Sequence, residues 1–130
     1  MRYYTTHDQA RKLESLGLPK DSADMCYTSH YFGNLLSSMR PDIRTESEYN
    51  QFLKSMYVSG ASFDPCWSMG KLLDLLPQTI PIQGIPVSLK IYKGPGSSWC
   101  SYGDIVTIFG DTLFDAVYNM VVLLLENKYI

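Results

Sequence analysis

Residues 110–130, GDTLFDAVYNMVVLLLENKYI, constrain the fold more than any other stretch of this chain. At the helical period Asp115, Asn119 and Glu126 fall together on one narrow stripe. Leu113, Phe114, Ala116, Val117, Met120, Val121, Val122, Leu123, Leu124 and Leu125 occupy nearly all the rest. A surface helix carries an apolar stripe somewhat over ~100° wide, and a helix apolar most of the way round is buried. One sheet cannot cover so wide an arc. The stretch therefore predicts a long helix that needs a second cover, from other helices of the chain or from another subunit. Asp111 or Thr112 caps its start, and Thr112 followed by Asp115 is a near match to a capping box. Asn127 and Lys128 end it, with the cation at the negative end of the dipole. The run 120–125 is six residues long, against the roughly 20 that cross a bilayer, which argues against a membrane span.

Upstream of that helix, Val87, Leu89 and Ile91 alternate with Ser88, Lys90 and Tyr92, the period of a half-buried strand. Gly94-Pro95-Gly96 turns the chain, 98–102 reads as a second strand, Gly103-Asp104 as a two-residue hairpin turn, and 105–109 as a third strand. The order predicts an α+β fold: a three-stranded antiparallel meander over about 87–109, followed by the long C-terminal helix. Two or three shorter helices precede it. Thr5 or Thr6 opens one that runs to about Leu16, with Gly17 as its stop. Thr45 with Glu48 makes a capping box ahead of Tyr49, Phe52, Leu53 and Met56. Ser68 starts another, with Met69, Leu72, Leu73, Leu75 and Leu76 on one face and Pro77 as its end. Between these, 21–25 reads as a turn, 26–32 as a strand ending at Gly33-Asn34, Pro41-Asp42 as a break and 60–65 as a loop. Residues 78–86, which hold Pro81 and Pro86, read as an extended connector.

A chain of 130 residues is one domain's worth. Eleven basic against thirteen acidic residues, with no long run of either sign, argue against a nucleic-acid binder that works through a basic face. The N-terminus lacks the apolar core of a signal peptide. Cys26, Cys66 and Cys100 are an odd count at wide spacing. They form neither a disulfide framework nor a metal cluster, and they read as reduced thiols in a cytoplasm. Ten tyrosines suit a half-buried sheet or a contact surface.

No catalytic cluster stands out. Cys66 precedes a predicted helix start, where a thiolate is stabilised, and His30 or His7 as base with Asp64 nearby in sequence would make a thiol-nucleophile site. Nothing local supports that pairing, and a Cys beside Trp67 packs well as a small hydrophobe. Cys26 and His30 are four apart; in a strand that spacing separates them by about 13 Å, too far for two ligands of one zinc, whereas in a helix the pair would be feasible. Gly94-Pro95-Gly96-Ser97-Ser98 has the composition of a phosphate loop without the helix that should follow. Capping accounts for Asp111 and Asp115 as well as acid–base chemistry would. Tyr92, Trp99 and Tyr102 could form an aromatic platform on the sheet, with only Lys90 and Lys93 nearby, so a protein contact is favoured over stacked bases.

Two stretches carry a resemblance. DPCWSMGKLLDLLP at 64–77 resembles a CWSLGxLLxLLP segment, and 110–130 resembles a GDTPLEAAxxMxxWLLENGYI ending. The opening QARKLESLGLPKDSADM fits the same pattern, that of a family of short uncharacterised proteins from gut Bacteroidales and their phages or prophages. Leu113 stands where that family often has Pro, and Lys128 where Gly is usual. The resemblance implies a phage-related setting and a cytoplasmic accessory protein, and carries over no functional residue. The reading reached is a non-enzymatic accessory or interaction protein that binds a protein partner or itself, through Val122, Leu123, Tyr92 and Tyr102. The alternative is a small enzyme or ligand-binding domain with a pocket near Cys66, Trp67 and Trp99. No catalytic residue, metal or cofactor is assigned.

Overall fold

The computed structural model describes residues 3–27, 43, 45–55, 64–103 and 106–130. The chain divides into two compact units, Tyr4–Ser68 and the remainder formed by Met1–Tyr3 with Met69–Ile130.

In the first unit, α1 (His7–Ser15) begins at Thr6, whose hydroxyl accepts the Gln9 N–H at 3.1 Å while the Gln9 side chain accepts the Thr6 N–H at 3.0 Å. This reciprocal cap satisfies two donors that the first turn leaves orphaned. The helix buries Ala10 and Leu13 and ends at Leu16, ahead of Gly17. A short 3-10 turn (Lys20–Ser22) leads into β1 (Met25–Tyr27), which pairs antiparallel with β2 (Asp64–Cys66). Asp64 and Pro65 are thus strand rather than loop. Pro65 lies opposite Cys26 in a two-stranded ribbon, where a missing N–H need cost no ladder bond. α2 (Glu46–Ser55) starts at the expected capping box: the Glu48 N–H donates to the Thr45 hydroxyl at 3.3 Å. The remainder of the predicted 26–32 strand, the Gly33-Asn34 turn, the Pro41-Asp42 break, Met56 and the side chains of Tyr49, Phe52 and Leu53 lie outside the described residues.

In the second unit, α3 (Met69–Leu75) precedes β3 (Thr79–Ile82), β4 (Ile85–Gly94), β5 (Ser97–Tyr102) and β6 (Val106–Gly110), and α4 (Leu113–Glu126) closes the chain. The fold is α+β, but the sheet has four antiparallel strands in the order β3-β4-β5-β6, not three. The extra strand is the segment read as a connector. Gln83 and Gly84 take φ of 52° and 79°, the left-handed pair of a tight two-residue hairpin turn. The residues flanking such a turn, Ile82 and Ile85, form a bonded pair, so the next pair, Pro81 opposite Pro86, exchanges no hydrogen bond. The Leu89 N–H bonding the Gln78 carbonyl at 2.8 Å fits the same alternation. Both prolines therefore sit where a ladder does not need their N–H.

α4 lies against β5, β6 and α3. Thr112 caps it, accepting the Asp115 N–H at 3.2 Å. The preceding residue that makes the tight entry work is Gly110, where a Cβ would stand 2.5 Å from the Ala116 nitrogen and 2.9 Å from the Thr112 carbonyl oxygen. Phe114, Ala116, Val117, Met120, Val121 and Leu124 are buried, Asn119 and Glu126 exposed, and Val122 and Leu123 half-buried. No helix among the described residues is long and apolar enough to cross a membrane.

Candidate functional site

Residues directly opposite in an antiparallel ladder share a face, and alternate residues in a strand change face. The registers Ile91↔Cys100↔Ile108 and Leu89↔Tyr102↔Val106 define one side of the sheet. Cys100 and Tyr102 have no exposure at all, so this is the side covered by α4. The registers Tyr92↔Trp99↔Phe109 and Lys90↔Ser101↔Thr107 define the other.

That other side is open. Tyr92 is 45% and Phe109 65% exposed, with Trp99 half-buried between them. The three aromatics form one row across β4, β5 and β6. Tyr92 and Trp99 stack with ring centroids 5.4 Å apart and planes 18° apart. Strands are spaced about 4.8 Å apart, so rings stacked at this distance spend their faces on each other, and the Tyr92 ring leans along β4 over Gly94, where a Cβ would stand 2.5 Å from it. Lys90, one pleat along, is the face's only charged side chain among the described residues; Ser88 and Thr107 are exposed beside it, and Ser101, between Lys90 and Thr107, is buried. Isolated exposed apolar side chains are ordinary, but a contiguous row of them marks a contact surface.

Tyr102 is not part of this row. It stands three residues from Trp99 in the same strand and so points to the opposite face. There its hydroxyl donates to the Pro77 carbonyl at 2.7 Å. Phe109 takes the place expected of Tyr102.

Cys66 and Trp67 belong to the other unit and are both fully buried. Thr5 organises them. Its N–H donates to the Trp67 carbonyl at 3.0 Å, and its hydroxyl accepts the Trp67 N–H at 3.0 Å and approaches the Cys66 sulfur at 3.6 Å. Its carbonyl accepts from the Tyr27 hydroxyl at 2.5 Å and from the Cys66 thiol at 3.4 Å. The Trp67 indole donates to the Ser22 hydroxyl at 3.1 Å. Burial pushes the Cys66 thiol up, against the opposing pull of the Thr5 and Tyr27 hydroxyls. A nucleophilic thiol needs a lowered pKa and access to solvent; here the sulfur is a neutral core atom.

The same unit holds a cavity of about 100 Å³ lined by His7, Arg11, Glu14, Lys20 and Asp64 among others. Its charges are mixed: a Glu14 carboxylate oxygen lies 4.0 Å from the Lys20 ammonium without a hydrogen bond, and Arg11 lies 3.6 Å from the exposed Asp8. His7 stacks on Tyr27 with ring centroids 3.9 Å apart. Among the described residues no three of His, Cys, Asp and Glu are grouped so as to hold a metal ion, and His30 lies outside those residues.

No family model, curated protein or solved structure matches this chain.

Proposed function

We propose that the protein is a non-enzymatic interaction protein that holds a segment of another protein on the open face of its four-stranded sheet. The observation that carries this reading is the row of exposed Tyr92 and Phe109 with half-buried Trp99 between them, beside the cation Lys90. Aromatic anchors with a charged neighbour are the usual energetic centre of a protein interface. Among the described residues the face bears a cation and no carboxylate, so the complementary partner carries apolar side chains with an acidic group close by. Stacked bases fit less well, because the Tyr92 and Trp99 ring faces are already turned to each other. A phage or mobile-element setting is supported by the resemblance of 64–77 and 110–130 to short proteins of that origin.

A photo-crosslinking amino acid placed at Lys90, in cells that naturally hold the protein, tests the reading. The expected result is a protein adduct that Trp99→Ser removes and that rebinds when purified. Adducts equal to those from the exposed control position Lys54 would overturn it, as would adducts to nucleic acid alone.

A further inference from the structure

The two edges of the sheet differ. β3 is blunted by Pro81, a common way to stop an edge from pairing with another chain. β6, Val-Thr-Ile-Phe-Gly, has neither proline nor charge, and among the described residues it pairs with β5 alone.

The backbone phase of β6 follows from the hairpins. Gly94 and Ser97 flank a two-residue turn and form a bonded pair, so Tyr92↔Trp99 and Lys90↔Ser101 are bonded as well. The Gly103 N–H bonding the Ser88 carbonyl at 3.1 Å agrees. Ser97, Trp99 and Ser101 therefore turn their backbone groups to β4, and Ser98, Cys100 and Tyr102 turn theirs to β6, engaging Gly110, Ile108 and Val106. Thr107 and Phe109 are left with N–H and C=O groups directed outward, along an edge with no neighbour among the described residues.

We infer that β6 pairs antiparallel with β6 of a second copy, about a two-fold axis at Ile108. In that register each Thr107 faces the partner copy's Phe109, and all the outward backbone groups of both strands are used at once in four hydrogen bonds. A two-fold axis sets each strand against its own sequence, so any charge on it would meet a like charge. β6 carries none. The result is one eight-stranded sheet with both aromatic rows on the same side. It also brings a second α4 alongside the first, because α4 lies on β5 and β6. At the helical period Tyr118, Val122 and Leu125 line one flank of α4 and Leu123 the other, all half-buried. One of those flanks gains the cover that its apolar side chains lack. This pairing is independent of what binds the open face.

Sedimentation velocity of the full chain, from micromolar to near-millimolar concentration, tests the inference together with two variants. The wild type is expected to dimerise. Thr107→Pro removes one outward N–H per copy without touching the β5 ladder, and should weaken dimerisation about thirtyfold. Ile108→Cys should form a disulfide across the axis under mild oxidation. Opposed residues of a non-bonded pair stand about 4.5 Å apart at Cα, within disulfide range, and the three native cysteines are buried. Tyr92→Ser, two strands from the edge, should leave the dimer unchanged. A strict monomer would overturn the proposal. A dimer in which Ile108→Cys gives no crosslink would do the same, including the case where Thr107→Pro fails to fold.

Discussion

Thr5→Val isolates the contribution of one hydroxyl to the core of the first unit. Thr5 has no exposure, and its Oγ1 is the acceptor for the Trp67 backbone N–H at 3.0 Å. Valine keeps the shape and removes the acceptor, leaving a buried donor without a partner, which costs about 2 kcal/mol. Loss of the weaker donation to the Cys66 sulfur adds little, since a 3.6 Å contact to sulfur is a weak hydrogen bond. Thr5→Ser keeps the acceptor and loses one methyl, a cost of about 1 kcal/mol for a fully buried group. Thr5→Ala loses both, and independent terms then sum to about 3 kcal/mol. The assay is urea unfolding followed by Trp fluorescence and far-ultraviolet circular dichroism, with coincident transitions and a constant m-value as the condition for comparison. The expected order of stability is wild type, Ser, Val, Ala. If Thr5→Val proves no less stable than Thr5→Ser, the hydroxyl does not hold Trp67 in place and the reasoning fails.

Among the described residues two non-glycine residues sit at positive φ, and each is a site where the fold is stabilised by substitution. Lys128, at φ 59°, occupies the left-handed position after α4: its N–H bonds Leu125 and the Tyr129 N–H bonds Leu124, the paired bonds of a Schellman cap. Lys128→Gly, and Gln83→Asn in the β3–β4 turn, should each raise stability by about 0.5–1 kcal/mol in chemical denaturation. Alkaline pH acts in the opposite direction. Burial pushes the Cys100 thiol from 9.0 up to about 11, and the Tyr102 hydroxyl from 10.0 up to about 12, with the neighbouring Cys100 adding to the latter. Both groups lose their protons more readily when unfolded, so their contribution is complete below pH 9 and is lost as pH rises through 11 and 12. Stability measured against pH should decline over that window, and Cys100→Ala should make the decline shallower while its onset stays near pH 9, because the Cys66 thiol is also pushed up from 9.0 by burial.

Much of the fold was legible because it rests on local chemistry. The caps at Thr6, Thr45 and Thr112 follow from short side-chain oxygens placed before apolar periods, and each stands at the start of its helix. β3 was illegible for a definite reason. Prolines at 81 and 86 argue against a strand unless the register places them at a non-bonded pair, and that register depends on a turn whose Gln83 lacks the usual Asn signature. The site was lost to a slip of a single residue. A two-residue turn at Gly103-Asp104 would put Phe109 opposite Ser98, on the face of Tyr102. The observed pairing of Tyr102 with Val106 leaves three residues between the strands and puts Phe109 opposite Trp99. A slip of one residue moves every side chain of a strand to the other face. The whole aromatic row thus hangs on the length of one loop.

The wide apolar arc of α4 can now be separated into what the chain covers and what it does not. The sheet and α3 account for Phe114, Val117, Met120, Val121 and Leu124, and the stripe of Asp115, Asn119 and Glu126 faces away from them. Val122 and Leu123 lie on opposite sides of that stripe, about 100° apart at the helical period, and both remain half-buried. A single partner helix lying over the stripe would have to bury Asn119 and Glu126 to reach both, at a desolvation cost that apolar contact on two flanks offsets poorly. A neighbour reaching α4 from one side meets one flank alone and leaves the polar stripe in water. An edge-to-edge pairing of β6 approaches α4 from the side, which is why the sheet edge, rather than the exposed stripe of the helix, is the route by which a second copy covers one flank of α4.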